Sequence, residues 1–217
     1  MKINAPKAQV VVYPGSNCDR DALWACKYVG FETEFVDVHS DIDADLLVLP
    51  GGFSYGDYLR VGAVAAREPI SQKIKDFISR GGLVIGICNG FQILVEMGLL
   101  PGALLQNSNG RFICRTVELE VIDNETPFTR YYLKGEKIRL PIAHGFGRFV
   151  KTEEINTTLK YTEDVNGSDE FIAGITNEQK NVFSLMPHPE RAIEKILGSD
   201  DGLRVFLSVY NYIKNKK

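Results

Sequence analysis

The stretch "LVIGICNGFQIL", Leu83 to Leu94, decides the fold. Its first half is apolar and β-branched, as suits a strand buried on both faces, and its second half reads as a helix. Cys88 stands at the junction, with Gly86 and Gly90 two residues away on either side. A strand that turns this sharply into a helix projects the turn residue away from the sheet, and small flanking residues keep the turn from clashing. This is the nucleophile-elbow pattern, usually G-x-S-x-G and here "GICNG" with sulfur in place of oxygen. N–H groups at a helix N-terminus stabilise a thiolate, and the N–H of Asn89 can face a developing oxyanion. A small buried hydrophobe between packing glycines would be written with the same five letters, so the motif alone leaves both readings open.

Working outward, "AQVVVYP" is a continuous apolar strand, and Ser16 or Asn17 can cap a helix from Asp19 to about Val29 that Gly30 stops. "ETEFVDV" alternates as a partly exposed strand and "DLLVLPGG" contains a buried one. Glu68 to Arg80 carries apolar residues at helical spacing before Gly81-Gly82 ends it. The order is βαββαβα, which specifies a mostly parallel central sheet with helices on both faces, whose sites form at the carboxyl edge of the strands. After Gly102 the texture is β-rich. "RTVELEVI" and "KIRLPIAHG" read as strands, "NETPF" and "LKGEK" as turns, and two further strands flank "NEQKN" as a hairpin. A last helix spans Asp200 to about Ile213. This half is expected to extend the same sheet, making one domain over 1–217.

The composition fits that expectation. A chain of 217 residues, 44% hydrophobic and 24% charged, is long enough to bury a sizeable core. Its four cysteines, Cys18, Cys26, Cys88 and Cys114, have no C-x-x-C spacing, and the amino terminus has no secretory pattern, so a reduced, cytoplasmic protein is expected. A net charge of −3 provides no basic face for nucleic acid, and no apolar run reaches membrane-spanning length.

A thiol nucleophile needs a base, and the base needs an orienting acceptor. "LMPHPERA" supplies both. The proline after His188 favours extended backbone, in which residues two apart point the same way, so His188 and Glu190 are expected to face one site. "LPGGFSYGDY" follows a buried strand, and its paired glycines let backbone approach a ligand, which suggests an oxyanion donor around Gly52 and Phe53 beside Cys88.

"GICNGFQIL" with "MPHPERA" resembles the class I, triad-type glutamine amidotransferases, of flavodoxin-like fold. "VVYPGSNCDRD", "LPGGFSYGDYLRVGAVAARE" and "PIAHGFGRF" further resemble the glutaminase subunits of phosphoribosylformylglycinamidine synthase, of de novo purine biosynthesis. The resemblance runs from about Val10 to Ala192. It implies that Cys88 attacks the side-chain amide of glutamine, that His188 protonates the departing ammonia and then activates water, and that Glu190 orients His188. It also implies that Gln92 lines the glutamine pocket and that backbone at His144, Gly145 and Phe146 holds the α-carboxylate or amine. The chain departs from the pattern at Phe146, where many members carry an acid, so only a backbone role is implied there. His144 could equally be a loop histidine, and Cys18 is given no catalytic part.

No G-x-x-x-x-G-K-[ST] loop or magnesium-type carboxylate cluster is present, and three scattered histidines do not have zinc-site spacing. The resemblance therefore implies no cofactor in this chain, with ATP and Mg2+ on a large synthetase subunit and a small bridging subunit as a third component. Another cysteine hydrolase on the same elbow and a non-catalytic interaction module are the alternatives.

Overall fold

The computed structural model describes residues 5–216. Along the first half run β1 (Lys7–Val11), α1 (Asp19–Val29), β2 (Glu32–Val36), β3 (Leu46–Leu49), α2 (Ile70–Ser79), β4 (Leu83–Ile87) and α3 (Asn89–Glu96), in the expected βαββαβα order. The second half adds β5 (Ala103–Leu105), β6 (Ile113–Val121), β7 (Lys137–His144), β8 (Arg148–Val150), β9 (Asn156–Tyr161), β10 (Ile172–Thr176), β11 (Val182–Leu185) and α4 (Leu203–Lys216).

Every residue of β3 and β4 is buried, as their unbroken apolar sequence requires of strands covered on both faces. They lie inside a nine-stranded sheet of order β2-β1-β3-β4-β11-β10-β9-β6-β7. The first five strands are mutually parallel and the rest continue as an antiparallel extension, so the β-rich half does extend the first sheet. The parallel pairing of β4 with β3 on one side and β11 on the other brings three strand ends to one edge. β7 is last in the sheet order, yet it returns to that edge. The Pro141 carbonyl accepts the His188 N–H at 2.8 Å, and the Ala143 carbonyl lies 3.9 Å from the Cys88 sulfur.

Several local expectations are corrected. Neither Ser16 nor Asn17 caps α1: Cys18 occupies the N-cap without a side-chain bond, because the Ser16 hydroxyl already accepts the Tyr13 N–H at 3.0 Å. α2 starts at Ile70, after Pro69, since residues 65–67 form a separate 3-10 turn. α4 begins three residues late, at Leu203, and runs on to Lys216. β9 and the separate β5–β8 ribbon have no apolar period in sequence and are set by their pairing partners. Among the described residues no helix is long and apolar enough to cross a membrane.

The glycines of "GICNG" are fixed by packing. A Cβ on Gly86 would come within 2.5 Å of both Leu94 and Ser184, and one on Gly90 would overlap the Leu49 carbonyl oxygen. α3 thus lies directly on β3 and β4. Gly90→Ala is expected to lower stability by about 2 to 3 kcal/mol, because backbone rather than a flexible side chain must yield. The urea midpoint against wild type measures this.

Candidate active site

Cys88 sits between β4 and α3 at φ 50° and ψ −102°, a conformation that β-carbon sterics disfavour by about 1–3 kcal/mol. Its backbone is held on both sides. The N–H donates to Leu185 at 2.8 Å, and the carbonyl accepts from Phe91 and Gln92 at 3.0 and 3.2 Å. The turn directs the thiol toward a cavity of about 130 Å³ lined by Cys88, Gly52, Phe53, Gln92 and the backbone segment 143–146. As the first residue of α3, Asn89 has no intrahelical acceptor for its N–H.

The second wall is the loop after β3. Gly51 has no room for a side chain, since a Cβ there would lie 2.7 Å from the His188 ring, 3.2 Å from the Cys18 sulfur and 3.4 Å from the Cys88 Cβ. Phe53 cannot offer its N–H to a ligand, because it donates to the Gly15 carbonyl at 3.0 Å; its half-exposed ring is what borders the cavity. The N–H of Gly52 meets no acceptor among the described residues, which leaves it as the free donor of this loop. The Asn89 side chain ties the two walls together. Its Oδ1 accepts the Ser54 N–H at 3.1 Å and its Nδ2 donates to Gln92 at 2.8 Å, while Gln92 donates to the Phe146 carbonyl at 2.7 Å. Phe146 therefore contributes backbone.

His188 follows β11, so strand pairing delivers it to the edge that holds Cys88. The His188–Glu190 contact does not arise from extended geometry. Residues 189–191 form a 3-10 turn, and this turn brings Glu190 Oε1 to 2.6 Å from His188 Nδ1, with both side chains buried. Burial disfavours a charged imidazole, but the Glu190 carboxylate and the nearby Cys88 and Cys18 thiols outweigh it and hold His188 well above its ordinary 6.5. The imidazolium–carboxylate contribution to stability is accordingly full below pH 6.5 and is lost as pH rises through the raised value. His188 Nε2 has no hydrogen-bond partner among the described residues.

Three features escaped the sequence reading. Asp57, at φ 56°, lines the cavity with a buried Oδ1 that has no hydrogen-bond partner among the described residues, and burial raises its carboxyl from the ordinary value. Cys18 stands beside His188 and Glu190, where the Arg191 guanidinium donates to its sulfur at 3.0 Å and burial raises its thiol. Asn107 anchors the strand end at His144: its Nδ2 donates to the His144 carbonyl at 2.8 Å and its Oδ1 lies 3.1 Å from the ring Nδ1. His144 is thus a buried strand-end residue rather than a loop histidine. Asp57 and Cys18 fall inside motifs singled out in sequence, but spacing carries no sign of their direction.

A family profile described as CobB/CobQ-like glutamine amidotransferase domain matches residues 5–163, a span that includes Cys88 but not His188 or Glu190. The chain is 62% identical to phosphoribosylformylglycinamidine synthase subunit PurQ of Thermotoga maritima over 96% of its own length and 99% of the relative's. It is 50% identical to the protein of the same description from Pseudothermotoga lettingae, over 97% of each. Among solved structures it superposes on a chain of PurLQS from T. maritima with a TM-score of 0.96 and 61% identity, covering 97% of this chain and 100% of that one. A glutamine amidotransferase from T. maritima, at 14% identity and TM-score 0.61 over 98% of this chain and 86% of that one, shares the fold.

Burial holds His144 down to about 4, with the neighbouring His188 adding to the effect. An unfolded histidine takes up a proton near pH 6.5, which folded His144 refuses until about pH 4, so stability present above pH 6.5 falls as pH drops across that window. The loss should reach about 3 kcal/mol. In urea titrations from pH 7 to 4, His144→Gln should flatten this part of the curve relative to wild type.

Proposed function

Since the chain belongs to the PurQ family of glutamine amidotransferases, we propose that it hydrolyses glutamine and supplies the ammonia to an ATP-dependent synthetase that converts formylglycinamide ribonucleotide to formylglycinamidine ribonucleotide. The observation that carries this is the positive-φ turn at Cys88, which aims a thiol into a small cavity beside the buried His188–Glu190 pair. The chain acts as one amidotransferase domain, with its nucleophile on β4 and its base after the adjacent β11.

Cys88 Sγ attacks the side-chain amide carbon of glutamine. The new oxyanion lies between the free N–H of Gly52 and the N-terminal N–H groups of α3, where fixed dipoles favour negative charge. His188, holding a proton and oriented by Glu190, protonates the departing nitrogen. Ammonia leaves and Cys88 carries a γ-glutamyl thioester. Neutral His188 then takes a proton from water, which attacks the thioester, releases glutamate and restores the thiol. The partly buried Asp57 carboxylate, whose Oδ1 faces no partner among the described residues, holds the substrate ammonium, and backbone at His144, Gly145 and Phe146 completes the pocket.

ATP and Mg2+ belong to a larger synthetase subunit, and a small bridging subunit completes the assembly. The likeness to a chain of PurLQS supports a multi-subunit enzyme.

In the assembled enzyme, Cys88→Ala should reduce glutamine-dependent amidination by about 10⁴-fold or more, because the thioester forms on Cys88. The rate with free ammonium should survive. Retention of the glutamine-dependent rate would assign the nucleophile elsewhere. Asp57→Asn should raise KM for glutamine more than it lowers kcat, as steady-state kinetics can read.

A further inference from the structure

The triad histidine is approached by two thiols. The Cys18 sulfur, a ring nitrogen of His188 and a carboxylate oxygen of Glu190 lie within 4.8 Å of one another, the one such group among the described residues. All three side chains are buried, and two of their atoms, His188 Nε2 and Glu190 Oε2, have no hydrogen-bond partner there. Cys88 borders the same space from the other side: the point where a Gly51 Cβ would stand is 3.2 Å from the Cys18 sulfur and 3.4 Å from the Cys88 Cβ. The reaction derived above uses His188, Glu190 and Cys88, and gives Cys18 no part.

We propose that Cys18, His188 and Glu190 form an inhibitory binding site for a zinc-class divalent cation, which engages His188 and thereby silences Cys88. One sulfur, one imidazole nitrogen and one carboxylate oxygen make the mixed donor set that suits zinc and poorly suits magnesium or calcium. Three protein donors leave one tetrahedral position, which the Cys88 sulfur or a water can fill. Binding releases the Cys18 proton and the second ring proton of His188 to solvent, and involves no redox step.

A groove of about 540 Å³, bordered by Asp21, Trp24, Arg191 and Glu194, reaches Glu190, and Cys88 is not among its lining residues. Two acids on that groove attract a cation. Arg191 opposes it, since its guanidinium holds the Cys18 sulfur in the metal-free chain. Asp21, which accepts from Arg191 Nε at 3.2 Å, offers that guanidinium a place to stay when the sulfur is taken.

The proposal rests on the amidotransferase reading only for its consequence, and the test reads binding without glutamine. Zinc affinity of the purified full chain is measured by competition with a chromophoric chelator, and cobalt(II) is used to report thiolate ligation. The expected result is one metal per chain with a thiolate-to-cobalt absorption band. Cys18→Ser and Cys18→Ala should each weaken zinc by about 100-fold or more, beyond the usual cost of an outer-shell change, while metal-free glutaminase activity persists. The band should remain in Cys88→Ala. Absence of stoichiometric cobalt, wild-type affinity in Cys18→Ala, or loss of the band in Cys88→Ala alone would overturn the assignment. None of those results would touch the amidotransferase reading, which stands or falls on Cys88→Ala in the assembled enzyme.

Discussion

The structure depends on a close contact between backbone and backbone: α3 lies so near β3 that Gly90 has no space for a methyl group against the Leu49 carbonyl. This contact forces the chain to leave β4 and enter the helix within one residue, and Cys88 takes up the turn at positive φ. Strain at a non-glycine residue persists only where surrounding structure over-determines it. Here the Leu185 carbonyl, the first turn of α3 and the buried β3–β4 pair supply that determination. The nucleophile is held at the sheet edge by packing that lies below it, within the core.

The same edge collects charge where solvent is scarce. Glu190 is buried beside His188, and an isolated carboxylate there would be costly. The imidazole at 2.6 Å resolves that cost, and the carboxylate in turn keeps the imidazole protonated well above its ordinary range. His144 shows the opposite outcome a short distance away. It is equally buried but meets only the Asn107 amide and the repulsion of His188, so it remains neutral down to about pH 4. Two buried histidines at one edge thus take opposite charge states because one has a carboxylate partner and the other an amide.

Much of this was legible in sequence wherever a local pattern carries it. Unbroken apolar runs marked β3 and β4, glycines at fixed offsets marked the elbow, and the two-residue spacing of His188 and Glu190 marked the pair, although a turn rather than extended backbone brings them together. Groups that converge through topology were not legible. Cys18 and Arg191 meet across 173 residues of sequence, and β7 reaches the site only because the far end of the sheet comes back over its own edge. The expected caps failed for a local reason: the Ser16 hydroxyl had a nearer donor in Tyr13. β5 and β8 are too short to show a period.

Cys88, which lines the cavity, and not Cys18, which lies outside it, is the residue that forms the covalent intermediate in the proposed reaction. The direct measurement is acid quench of the enzyme during turnover with isotope-labelled glutamine, followed by peptide mass mapping at low pH. The expected result is a γ-glutamyl thioester on the peptide carrying Cys88, absent from Cys88→Ala and retained in Cys18→Ala. A thioester on the Cys18 peptide, or its persistence in Cys88→Ala together with its loss in Cys18→Ala, would mean that the nucleophile is Cys18.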